Sequence, residues 1–177
     1  NLLPEGLLRT IVCAQHGLRE EDEPGILAAL GDDLPGAVTV SRIGDPVPGP
    51  ADDAMQSSDS TSFSKDSLIR ASIAGNVLKF SMKSRDQRLT LPGSGEYGDR
   101  IVKLPPPGEY DALVHNEFYV MSLARACGIE VPDFDVVHRE NVEIAPSAWA
   151  TTEEHAFSIA RFDRSDQGRV HMEDFCQ

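Results

Sequence analysis

Arg100-Ile101-Val102-Lys103-Leu104-Pro105-Pro106-Pro107 is a short apolar run containing one lysine and ended by three prolines. Proline has no N–H for a ladder and clashes inside a helix, so residues 105–107 form a loop. The run before them reads as a strand. The run behind them, from about Asp111 to Cys127, reads as a helix with Leu113, Phe118, Met121, Leu123 and Ala124 as its apolar stripe. Gly128 stops it, and Pro132 shows that it is over. Lys103 lies between Val102 and Leu104, so it either snorkels to solvent or points into a site.

Short β-type runs surround this pair. Leu68–Ile73, Val77–Met82 and Arg88–Leu91 precede it; Asp135–His138 and Ala156–Ala160 follow it. Antiparallel strands, one long helix, then strands again predict an α+β arrangement with the helix against a sheet. Upstream, Pro46, Pro48 and Pro50 and the run Ser57-Ser58-Asp59-Ser60-Thr61-Ser62 are linker chemistry, too polar to offset the entropy of ordering. The chain thus divides into residues 1–45, a linker at 46–66, and 67–177. In the first part, Leu2, Leu3, Leu7, Leu8, Ile11 and Val12 recur at helical spacing behind Pro4-Glu5. Glu23 to Leu30 gives a second helix ended by Gly31, and Ala37-Val38-Thr39-Val40 reads as a strand. These elements bury little surface, so the first part is expected to complete a domain begun before Asn1.

The 177 residues are 40% hydrophobic and 25% charged, ordinary for one globular domain or two small ones. No apolar run reaches the ~18 residues of a membrane span, and no secretory signal is visible. Sixteen basic against 29 acidic residues give a formal net charge of −13, a poor footprint for gripping phosphate backbones. Any role with DNA therefore falls to a partner. Cys13, Cys127 and Cys176 are odd in number and widely spaced, the pattern of reduced thiols in a cytoplasmic protein. No catalytic-cysteine motif surrounds them. His16, His115, His138, His155 and His171 show no ligand spacing, so no metal site is expected.

Two features bear on chemistry. Ser72-Ile73-Ala74-Gly75-Asn76-Val77-Leu78-Lys79 places small residues between β-type runs, where backbone N–H groups can turn toward an anion, although most such turns are only turns. Lys103 on a strand with Glu117 on the next helix is the pairing with which protein kinases hold nucleotide phosphates. The plainer role for Glu117 is as a helix-dipole partner. Arg161-Phe162-Asp163-Arg164 reads as a surface turn with an Arg–Asp pair. Trp149 reads as a packing residue, and Glu153-Glu154-His155 as a solvated turn.

Taken in order, these segments resemble the HipA family of serine/threonine kinases, the toxin halves of bacterial HipBA-type toxin–antitoxin modules. The resemblance rests on LLPEGLLR (2–9), GDDLPGAV (31–38), SIAGNVLKFSM (72–82), DRIVKLPPP (99–107), HNEFYVMSLARACGIEVPDF (115–134) and ARFDRSDQGRVHMEDFCQ (160–177). It implies the end of a HipA N-terminal subdomain over residues 1–45. Over 67–177 it implies a protein-kinase-like N-lobe and the start of a C-lobe. It implies ATP and Mg²⁺ as cofactors, with the loop carrying Ala74, Gly75, Asn76 and Val77 over the phosphates and Ser72 as the position of inactivating autophosphorylation. Lys103 matches the strand lysine that contacts the phosphates. Ala160, Arg161 and Phe162 match the hinge that holds adenine by backbone bonds, with Ala160 where relatives often carry an acid.

The same resemblance implies a HipB-type, DNA-binding antitoxin as partner and an aminoacyl-tRNA synthetase, typically the glutamyl enzyme, as the phosphorylated protein. The catalytic-loop aspartate and the metal-binding residues of the family have no match up to Gln177. No catalytic residue is therefore assigned here, and the 177 residues alone are expected to be inactive. The alternative is a naturally short, non-catalytic module that binds an antitoxin or regulates a full-length kinase.

Overall fold

The computed structural model describes residues 2–43, 77–93, 96–104, 112–144 and 153–173. Two helices, α1 (Gly6–His16) and α2 (Glu23–Leu30), come first. Strands β1 (Lys79–Arg85), β2 (Arg88–Thr90) and β3 (Arg100–Lys103) lead to helix α3 (Leu113–Ala126). Then follow β4 (Phe134–His138), β5 (Val142–Glu143), β6 (His155–Ala160) and a small hairpin, β7 (Arg164–Ser165) with β8 (Gly168–Arg169). The expected strand at Leu68–Ile73 lies outside the described residues.

Six strands form one sheet in the order β4-β6-β3-β1-β2-β5, antiparallel except where β2 meets β5. A two-residue turn with Asp86 and Gln87 both at positive φ joins β1 to β2, the geometry that suits the twist of a tight hairpin. Register sets the faces. Lys79 opposes Lys103, Lys103 opposes Phe157 and Phe157 opposes Val136, so this row shares one face. Phe80, Val102 and Ser158 form the next row, on the other face.

Each face has its own cover. Helix α3 packs on β4 and β6 through Val114, Phe118 and Met121, which meet Phe134, Val136, Phe157 and Ile159. The buried stripe is thus 114/118/121; Leu123, expected inside, is exposed because it falls on the opposite side of the helix. Gly128, at φ 82, ends the helix in the left-handed conformation, and the Ile129 N–H returns to the Ala124 carbonyl. The row carrying Phe80 and Val102 belongs to the larger core. There Leu78, Met82, Leu104 and Ala156 join Leu8, Val12, Ile26, Leu30 and Leu34 from the first segment. Residues 2–43 therefore share a hydrophobic core with the sheet.

Ala37–Val40 forms no strand. Its neighbourhood satisfies its backbone with arginine side chains instead: Arg169 donates to the carbonyls of Asp32, Leu34 and Val38, and Arg164 to those of Leu34 and Gly36. The segment Arg161–Arg164 is equally unlike the surface turn expected of it. Arg161 forks onto Asp163 (Nε–Oδ1 2.9 Å, Nη2–Oδ2 2.8 Å) and reaches Asp33 Oδ1 at 2.9 Å. Arg164 binds the same two carboxylates at 2.7 and 2.8 Å. All four side chains are at most 8% exposed.

Ser81 Oγ donates to Asp33 and accepts from Arg161, while the N–H groups of Gly98 and Gly36 donate to Asp33 and Asp163. Gly98 has to be glycine, because a Cβ there would lie 2.0 Å from Ser81 Oγ. Removing one partner of such a group strands a buried charge, at a cost of about 3–5 kcal/mol.

Two outcomes are expected. Asp33→Asn lowers stability by about 3 kcal/mol or more in urea titrations followed by circular dichroism. The second concerns acid. Burial alone would raise the Asp163 carboxyl, but the Arg161 hydrogen bond and charge, the Gly36 N–H and Arg164 outweigh it and hold it below the usual range. A depressed carboxylate stabilises fully above its unfolded value of about 3.9 and loses that contribution as pH falls through the lower folded value. Asp163→Asn therefore flattens the fall in stability below about pH 4, measured by the same titrations at stepped pH.

Candidate functional site

Strand β3 ends with Lys103 on the face covered by α3. Its ammonium contacts Glu117 Oε2 directly, and both side chains are about a quarter exposed, at 26% and 22%. Glu117 sits at the fifth residue of α3, one turn in from its start, so the pair fastens the helix to the middle of the sheet. The Phe157 ring, opposite Lys103 in register, lies 5.5 Å from the ammonium and gives it an aromatic face. The structure thus brings Lys103 and Glu117 together.

A second cation stands beside them. Lys79 on β1 directly opposes Lys103, and like charges placed so across a ladder repel. Burial, and then the charge of Lys103, push the Lys79 ammonium below its ordinary pKa; Glu117 and Glu5 pull the other way. Lys79 and Lys103 put two cations side by side on one face, where an anion can meet both, with Glu117 and Glu5 near enough to compensate their charge. Lys79 went unremarked as a site residue in the sequence. The alternation Leu78/Phe80/Met82 put it on the face away from the core, but the register opposite Lys103 has no local signal.

Of the small-residue loop, only Val77 is described; it is partly buried. Ser72, Ala74, Gly75 and Asn76 lie outside the described residues. At the other end of the row, Ala160, Arg161 and Phe162 leave β6. The Ala160 N–H donates to the Asp133 carbonyl at 2.7 Å and the Arg161 N–H to that of Asp99 at 2.9 Å. The Arg161 side chain is committed to Asp33, Asp163 and Ser81, so only backbone atoms of that residue are available to a ligand. Phe162 is 63% exposed. A cleft of about 500 Å³ runs beside these three residues, with Glu130, Val131, Pro132 and Asp133 as its other wall.

Comparison with known proteins bears on this arrangement. Residues 71–177 match the HipA-like C-terminal domain family, and residues 1–41 match the HipA N-terminal domain family. The chain belongs to the HipA family. It is 39% identical over its whole length to a Sinorhizobium fredii protein named "Putative kinase Y4dM", covering 42% of that protein. A second protein of that organism, "Putative kinase Y4mE", is 28% identical over 99% of the chain, which covers 44% of it. The chain thus spans less than half the length of these two HipA-family relatives. In fold it resembles Shewanella oneidensis MR-1 HipA, solved in complex with HipB and its operator DNA. That match has a TM-score of 0.61 at 23% identity and covers 97% of this chain and 40% of the other. The mixed α+β architecture, with a curled sheet and one long helix against it, agrees with that HipA structure and with a kinase-like N-lobe.

The Lys79–Lys103 repulsion is directly measurable. Replacing Lys103 by Met removes the neighbouring positive charge, so the Lys79 ammonium should titrate at higher pH, followed through its side-chain carbon resonances by NMR.

Proposed function

We propose that this HipA-family chain is the nucleotide-binding lobe of a serine/threonine protein kinase that uses ATP. The observation that carries the reading is the Lys103–Glu117 ion pair between the central strand and the long helix. In this role Lys103 holds the α- and β-phosphates as a point charge, and Glu117 fixes its direction. Lys79 adds a second positive charge beside it. The Ser72–Val77 loop covers the phosphates, and Ser72 takes the inactivating phosphate. The backbone of Ala160–Phe162 receives the adenine, chiefly through the Ala160 carbonyl and the Phe162 N–H, since the other two N–H groups are already bonded within the chain.

The reaction moves the γ-phosphoryl group from the β,γ-bridging oxygen of ATP to a serine or threonine hydroxyl oxygen. The catalysis is mostly positioning and charge stabilisation. Magnesium takes an oxygen set of carboxylates, phosphates and water. Among the described residues no such set gathers beside Lys103. The Mg²⁺ ligands and the catalytic aspartate are assigned to the kinase C-lobe that the family resemblance implies. The 177 residues by themselves should then transfer no phosphate.

The partner proposed is a HipB-type antitoxin. The structural relative was solved with HipB and operator DNA, and the net charge of −13 suits contact with a basic protein better than contact with DNA itself. The protein substrate proposed is an aminoacyl-tRNA synthetase, the glutamyl enzyme first.

The test is ATP affinity and transfer of labelled phosphate to glutamyl-tRNA synthetase by the whole protein. Lys103→Met should weaken ATP binding at least about tenfold, which is 1.4 kcal/mol, and abolish transfer, with circular dichroism unchanged. ATP affinity indifferent to Lys103→Met would overturn the reading.

A further inference from the structure

Three histidines with no regular spacing in the chain meet where α3 approaches the β4–β6 edge. His115 lies in the first turn of α3, His138 ends β4 and His155 begins β6. The His115 and His155 rings are 5.5 Å apart between centroids, as are those of His138 and His155. Glu153 joins them, its Oε1 lying 3.3 Å from His155 Nδ1. One ligating atom each from His115, Glu153 and His155 fall within 4.8 Å of one another, and all three residues are partly buried.

We propose that His115, Glu153 and His155 form a zinc-binding site that fastens the first turn of α3 to strand β6. Zinc bonds of about 2.0–2.2 Å in a tetrahedron place neighbouring ligand atoms about 3.3 Å apart. The His155–Glu153 pair already has that spacing. His115 offers a ring nitrogen within 4.8 Å of a ring nitrogen of His155 and a carboxylate oxygen of Glu153, and rotation of its side chain closes the remaining distance.

Two imidazoles and one carboxylate are a three-ligand zinc set that leaves a fourth position for water. Imidazole nitrogen selects a borderline ion such as zinc over magnesium or calcium, which want oxygen. The surroundings favour a cation. Glu140 and Glu154 lie 3.6 and 3.9 Å from the His138 ring nitrogens, and His138 itself packs edge-on against His155 and restricts its rotation. Helix α3 also carries Glu117, two residues beyond His115, so an ion here would hold the helix from a second point. The site itself depends on no assumption about nucleotide.

The experiment is calorimetric titration of chelator-stripped whole protein with zinc chloride, repeated with magnesium chloride. Parallel runs use His115→Ala, His155→Ala, Glu153→Gln and, as a control, His171→Ala, which lies outside the cluster. The expected result is one zinc per chain, no magnesium step, and affinity lowered at least about tenfold by each of the three site substitutions but not by the control. Hydrogen exchange should also slow in the first turn of α3 when zinc is added. His115→Ala is the deciding variant, because it leaves the sheet intact. The proposal fails if no zinc step appears, if His115→Ala binds zinc as the parent does, or if exchange in α3 is indifferent to zinc.

Discussion

Two carboxylates and two guanidiniums, buried together, tie the first forty residues to the end of β6. Asp33 comes from the segment after α2; Arg161, Asp163 and Arg164 come from the other end of the chain. Ser81 on β1, the N–H groups of Gly36 and Gly98, and the carbonyl of Leu34 all bond to these charges, while the buried Arg164 Nε has no partner. This density of hydrogen bonds offsets most of the cost of desolvating four ions. The ion group joins the segment after α2 to the point where Phe162 leaves the sheet.

The candidate site has a different physical character. Lys103, Glu117 and Lys79 are only partly buried, and two of the three carry the same sign. Like charges side by side across a ladder repel, and the same pair offers an anion two cations at once. The densely hydrogen-bonded ions lie in the buried network and the Lys103–Glu117 pair lies in a more exposed row, so stability and ligand binding fall on separate residues.

Much of this was legible beforehand. Three prolines after Leu104 and the glycine after Cys127 bracket the helix and place Lys103 at a strand end, because both residue types act through local backbone geometry. What failed to show required partners distant in sequence. Val38 and Val40 looked like strand residues, yet arginines from the β7–β8 hairpin take the local carbonyls first. Arg161-Phe162-Asp163-Arg164 looked solvated because nothing nearby in sequence announces Asp33. His115 and His155 showed no ligand spacing because helix and strand converge only in three dimensions.

The distance between Asp33 and Arg161 along the chain, 128 residues, also bears on how the protein is made. Closing so long a loop defers its reward until late in folding. At a synthesis rate of roughly 5–20 residues per second, Arg161 leaves the ribosome on the order of ten seconds after Asp33. For the first part of that interval, before β1 and β3 emerge, Leu8, Val12, Ile26 and Leu30 lack the sheet residues that cover them. The nascent segment carrying α1 and α2 is thus an apolar surface in waiting, and a natural client for chaperones until β1 and β3 arrive.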